Sequence, residues 1–135
     1  MNGPADGYPL GGQHDVHVLP DKTITVFNNR TDLAGSQPRA QRFRIDEDAG
    51  TAKIIGTIRD ERVGETFCCG SAQMLPSKVW LVSWGNSGLT GAYDDAGRPL
   101  FRLDLDILWS YRANAVPDGV VSALRLRRAM NFMNR

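Results

Sequence analysis

The sequence has 135 residues, 41% of them apolar and 23% charged, with 14 glycines, 7 prolines and a formal net charge of +1. That size makes one small domain or a piece of a larger one, and the composition lies far from disordered or collagen-like chains. The near-zero charge gives no electrostatic case for nucleic acid or an acidic membrane, no apolar run approaches the roughly 18 residues of a membrane span, and the first six residues lack the basic-then-apolar layout of a signal peptide.

Residues 1–12, rich in Gly and Pro, read as an irregular lead-in. Residues 13–19 alternate well enough for a strand, Pro20-Asp21 signals a turn, and residues 23–27 (Thr-Ile-Thr-Val-Phe) are β-branched and aromatic, a strong strand. A polar loop with Gly35 and Pro38 follows. Residues 40–45 form a third strand, a hairpin turn ends at Gly50 in the left-handed region, and residues 51–58 form a fourth strand.

The pattern then restarts. Residues 70–75 correspond to 13–19, Pro76-Ser77-Lys78 to Pro20-Asp21-Lys22, and 79–84 to 23–28. Strands over 89–94 and 99–105 flank Asp95-Ala96-Gly97, and a third start runs from Ser110 to Pro117. Pro20 and Pro76 stand 56 positions apart, and Pro76 and Pro117 stand 41 apart. Four strands per unit of roughly 40–50 residues is the pattern of a β-propeller blade; a β-sandwich or an open barrel shares the strand spacing. The expected fold is therefore all-β. Blades span about 13–59 and 68–106, with a closing strand at 110–117, making a partial propeller over 13–117 and a C-terminal helix over 120–134. In that helix Ala123, Leu126, Met130 and Met133 share one face, Asp118 or Ser122 is placed to cap it, and packing on the rim or bottom of the sheets is expected. Its arginines fit a solvated face, with a membrane surface as the alternative. Propellers use about 4–8 blades, so two blades leave edges and faces that want neighbours, and the chain alone is expected to aggregate, self-associate or be marginally stable.

The cysteines are adjacent, Cys68-Cys69, in neither the number nor the spacing of a zinc site. A bridge between neighbours is strained, so two free thiols at a strand start are expected. No metal ligand set and no cofactor motif is found.

The stretches Gly12-Gln13-His14-Asp15 and 19–29, then Cys68-Cys69-Gly70-Ser71-Ala72-Gln73, Trp80-Leu81-Val82-Ser83-Trp84-Gly85 and Ser110-Tyr111-Arg112-Ala113, resemble the bacterial arylsulfate sulfotransferase family, over nearly all of residues 8–133. Where that family tends to have Asp-Asn-Gly, this chain has Asn28-Asn29-Arg30, and Asp21-Lys22 replaces an Asp-Gly turn. The resemblance implies a six-bladed propeller in the full protein. It also implies a cell-envelope, periplasmic or exported setting, and transfer of a sulfuryl group from an aryl sulfate to a phenol without a nucleotide donor. It further implies that a channel histidine, His14 here by motif match, is transiently sulfated. The family's other channel residues come from earlier blades, so the chain is expected to be inactive alone and to need upstream blades or self-association. The alternative is a truncated, non-catalytic propeller serving as a binding or structural module.

The residues themselves carry part of this chemistry. Neutral imidazole is a nucleophile near neutral pH, and sulfuryl transfer needs donors around the equatorial oxygens and a proton for the leaving phenolate. Counted from the marker prolines, Arg112 matches Asp15 and Tyr111 matches His14. Arg112 is the candidate oxyanion clamp, or else an arginine bridging blades through an aspartate. Tyr111 is a candidate donor or aryl-stacking residue, or else a packed core tyrosine. Gln13 and Asp15 join Tyr111 as candidate substrate-binding residues. A strand period of two places His14 and His17 on opposite faces, with Asp15 on the face of His17. Trp80, Trp84 and Trp109 can line an aryl pocket, but the alternation within residues 79–84 suggests core packing first.

Overall fold

The computed structural model describes residues 10–32, 34–106, 109–117 and 119–133. Strands β1 (Gln13–Val18), β2 (Thr23–Asn28), β3 (Arg39–Asp46) and β4 (Thr51–Ile58) form one antiparallel sheet in that order. Strands β5 (Ser71–Met74), β6 (Trp80–Ser83), β7 (Leu89–Tyr93) and β8 (Pro99–Asp104) form a second of the same topology. Each strand lies where its sequence places it, with ends shifted by a residue or two.

The two sheets are built by the same turns. Lys22 N–H bonds Leu19 C=O at 2.9 Å and Leu19 N–H bonds Thr23 C=O at 2.8 Å, with Lys22 in the left-handed region (φ 62°). Lys78, Leu75 and Val79 repeat these bonds at 2.9 and 2.8 Å, with φ 59° at Lys78. Proline presets the first turn position in both, and the left-handed residue after it matches the strands' twist.

The second sheet lies against the first, with β5 packed on β1, β2 and β3. Phe27, Ala40 and Ile58 from one side meet Ala72, Trp80, Val82, Trp84 and Tyr93 from the other, with Val63 of the connecting segment between. Phe27 meets Trp84 edge-on at 5.8 Å, and Trp84 meets Tyr93 edge-on at 5.9 Å. Burying each large apolar side chain contributes about 1.5–3 kcal/mol. At Gly70 (φ 110°) a Cβ would lie 2.2 Å from the Phe27 ring, so only glycine lets β5 start this close to β2.

A buried polar network pins the connecting segment to the second sheet. Tyr93 Oη donates to Asp60 Oδ2 at 2.6 Å, Trp84 Nε1 donates to Tyr93 Oη at 2.7 Å, and Arg102 Nε donates to Asp60 Oδ2 at 2.7 Å. The Asp60 side chain is fully buried. Burial pushes its carboxyl up, but the bonds from Arg102, Tyr93 and the Arg62 N–H outweigh burial and hold it below the ordinary aspartate range. Burial, with the Asp60 bond, pushes the Tyr93 hydroxyl well above its usual range.

Apolar surface remains outside this core. Val16, Ile24, Val26, Phe43, Ile45 and Ala52 line an open groove of about 420 Å³ on the far side of the first sheet. Leu100, Phe101 and Leu103 of β8 are exposed.

The segment 110–117 departs from its expected strand. It is extended and joins the second sheet by a single bridge, Gly85 with Ser110, because no described residue supplies a second strand for a ladder. Helix α1 (Ala123–Met133) starts as expected at Ser122, whose Oγ accepts the Arg125 N–H at 3.2 Å; Asp118, the other candidate cap, lies outside the described residues, as does Asn134. The expectation that the helix packs on the sheets is overturned, since none of its residues is buried. Its apolar side chains are not confined to one face: Leu124 and Phe132 stand on the side of Arg125 and Arg128, away from Leu126 and Met130. Among the described residues no helix is long and apolar enough to cross a membrane.

Candidate functional site

The stretch carrying both histidines is β1, and its ladder is irregular. His14 pairs with Phe27 and His17 with Thr25, so Asp15 and Val16 together stand opposite one residue of β2. This is a β-bulge, and Asp15 takes the left-handed conformation (φ 54°) that aspartate tolerates better than most residues. The extra residue changes which face each histidine uses. Phe27 and Thr25 both face the second sheet, through the Trp84 ring and a 3.2 Å bond from Thr25 Oγ1 to Ala72 C=O. Their partners His14 and His17 therefore share that face, contrary to the strand count, which places them on opposite faces.

The bulge also aims a carboxylate between strands. Asp15 Oδ2 accepts the Ala72 N–H of β5 at 3.0 Å, and Asp15 Oδ1 meets Arg112 Nε at 3.1 Å. His17 Nε2 lies 3.0 Å from Asp15 Oδ2. That nitrogen is buried and meets the carboxylate off the hydrogen-bond direction. The Asp15 side chain is 2% exposed, so one carboxylate joins β1, β5 and the segment 110–117. Asp15 and His17 are in close contact without a hydrogen bond between them.

The bulge shifts the equivalences as well. Ser71 pairs with Ser83 as His14 pairs with Phe27, so Ser71 is the counterpart of His14, one residue beyond the proline count. Ser71 in turn matches Arg112, which moves Arg112 to the His14-equivalent position and Tyr111 to that of Gln13. The segment 110–117 meets β5 through the Gly70 N–H to Tyr111 C=O bond at 3.0 Å and the Ala113 N–H to Ser71 Oγ bond at 2.9 Å.

Of the other sequence candidates, Gln13 is exposed at the start of β1 and His14 is half-buried beside the bulge. Asp15 is sealed by protein contacts and offers no open face to a substrate. Arg112 is bound to Asp15, the bridging role rather than a free clamp, yet its side chain stays 45% exposed. Tyr111 is not a core tyrosine: it is 70% exposed, with the Arg112 guanidinium 5.9 Å from its ring centre. Trp80 and Trp84 are fully buried in the core, whereas Trp109 is exposed against the edge of Phe67. Cys68 and Cys69 are free thiols, and burial together with the Cys69 thiol pushes Cys68 up to about 11, which makes it a poor nucleophile.

Sequence reasoning passed over Asp60, Arg102 and Tyr93, because a lone aspartate in a connecting loop and an arginine on an outer strand carry no spacing signal. It also passed over Asn29. The Asn29 amide, fully buried, donates to Thr66 Oγ1 at 2.8 Å and to Cys69 C=O at 3.1 Å, tying the end of β2 to the lead-in of β5.

Comparison of the chain with protein-family models, with curated proteins and with solved structures finds no match.

Proposed function

We propose that this chain supplies C-terminal blades of a β-propeller that transfers a sulfuryl group between aryl sulfates and phenols, with His14 as the nucleophile. The repeated four-strand meanders support the propeller part. The chemical part rests on one observation: His14 stands beside a bulge whose buried carboxylate gathers His17 and Arg112 from separate inner segments. In the first half-reaction an imidazole nitrogen of His14 attacks the sulfur. The N–S bond forms as the S–O bond to the aryl oxygen breaks, and the phenolate leaves to take up a proton. In the second, an acceptor phenol loses its proton, its oxygen attacks the same sulfur, the N–S bond breaks, and His14 is restored. Arg112 uses its Nε on Asp15, and its other N–H donors suit the sulfate oxygens. Asp15 and His17 are positioning residues in this scheme.

The test uses the protein expressed from its whole reading frame and incubated with 4-nitrophenyl sulfate. An acid-labile gain of one sulfuryl group, lost in His14→Asn, is the expected result. A second reading, a non-catalytic binding or structural module, is favoured by the Asp15–Arg112 pair, which gives the arginine a structural partner. It expects neither adduct nor phenol release.

A further inference from the structure

The β1–β2 and β5–β6 turns leave a slot of about 290 Å³ between them. Its walls are aliphatic: Leu19 and Pro20 from the first turn, and Met74, Leu75 and Pro76 from the second. Among the described residues no aromatic ring lines it. Its polar groups are Asp21, Arg42 and Lys78. Arg42 Nη2 donates to Asp21 Oδ2 at 2.5 Å, and Arg42 Nε donates to Thr23 Oγ1 at 2.8 Å. The Arg42 Nη1 group and the Lys78 ammonium bond no described residue. Two cations against one carboxylate leave the slot with one positive charge. Both walls belong to units that are present, so the slot is not a face waiting for another blade.

Lys78 stands here against backbone preference. Its φ of 59° is left-handed, a conformation that glycine takes without cost and lysine does not. The third unit shows the unstrained choice: Val116-Pro117-Asp118-Gly119 repeats Leu75-Pro76-Ser77-Lys78, and Gly119 has φ 82°. Lys22 holds the same place in the first turn, with φ 62°, but lines no part of the slot, which makes it the matched control.

We propose that this slot binds a short aliphatic carboxylate, its head on the Lys78 ammonium and the Arg42 Nη1 group and its alkyl chain between the two turns. The volume, at the small end of ligand pockets, sets a short chain. The single positive charge matches a monoanion, and the aliphatic walls favour an alkyl body over an aryl one. His14 stands at the start of β1 and the slot at its end, so the proposal does not rest on the sulfotransfer reading.

The experiment titrates the 135-residue chain with hexanoate, reads binding by saturation-transfer NMR, and uses hexanamide as the neutral isostere. Saturable hexanoate binding, about tenfold or more tighter than that of hexanamide, is expected. No saturable binding, or equal binding of the amide, overturns the proposal. Lys78→Met keeps an apolar side chain of similar length and removes the charge, so it should raise the hexanoate Kd about tenfold, and Lys78→Arg should restore it. Lys22→Met should leave it unchanged. Equal losses in Lys22→Met and Lys78→Met would mean attraction by overall charge and would overturn the site. Lys78→Gly separates binding from folding: it relieves the left-handed turn, so the urea midpoint should hold or rise while binding falls. A midpoint that falls, or binding that survives, makes the lysine structural and overturns the proposal.

Discussion

Two buried carboxylates, each paired with an arginine, do different things in this molecule. Asp60 is fully buried, held by Arg102 through two hydrogen bonds, and also accepts from Tyr93 and the Arg62 N–H. All its lone pairs are used inside the protein, and no nucleophile stands beside it. Asp15 is nearly as buried, but it sits on a strained bulge of the edge strand β1, its arginine is half-exposed, and two histidines share its strand. The same ion-pair chemistry locks the fold in one place and, on the function proposed above, orients reactive groups in the other. What separates them is the surroundings of the partners: strain and an exposed cation stand beside Asp15, and a closed network surrounds Asp60.

The contrast predicts an ordered set of losses. Asp60→Ala removes one member of a closed buried network and leaves Arg102 and Tyr93 without their acceptor; it should cost about 3–5 kcal/mol by urea denaturation. Tyr93→Phe strands Trp84 Nε1 and one Asp60 lone pair, and should cost about 1–3 kcal/mol on the same measurement. Asp15→Ala should cost about as much as Tyr93→Phe, because it orphans the Ala72 N–H and puts alanine into the left-handed conformation that aspartate tolerates better, and it should abolish sulfuryl transfer. Arg112→Ala should be smallest in stability, below about 1 kcal/mol for a half-exposed pair, while sharply lowering kcat in the transfer assay. A stability loss for Arg112→Ala as large as that for Asp60→Ala would erase the contrast.

Acid sharpens the same comparison. The folded Asp60 carboxyl is held below its unfolded value of about 3.9, so its stabilisation is complete above that pH and is lost as pH falls towards the folded value. Asp60→Asn should therefore flatten the acid limb of the stability profile, measured as urea midpoint against pH. An unchanged acid limb would show that Asp60 is not the group that carries it.

The strands were legible because β-branched runs and turn residues announce themselves locally, and the repeat because Pro20 and Pro76 head identical turns. The bulge was not. It inserts Asp15 without changing composition, so counting from the prolines holds up to His17 and slips by one residue beyond it. That slip put the histidines on opposite faces and matched Tyr111, instead of Arg112, with His14. The helix was found, but an apolar face does not name what it packs against. The Asp60 network was invisible because its members, Asp60, Tyr93 and Arg102, are brought together only by the sheet packing.

The central claim is that His14 carries the sulfuryl group, and mapping the adduct tests it most directly. The protein from the whole reading frame, treated with 4-nitrophenyl sulfate and digested at neutral pH, should yield a sulfated peptide whose modification fragments to His14 and disappears in His14→Asn. A modification that persists in His14→Asn, or phenol release from the wild type with His14 unmodified throughout turnover, would contradict it.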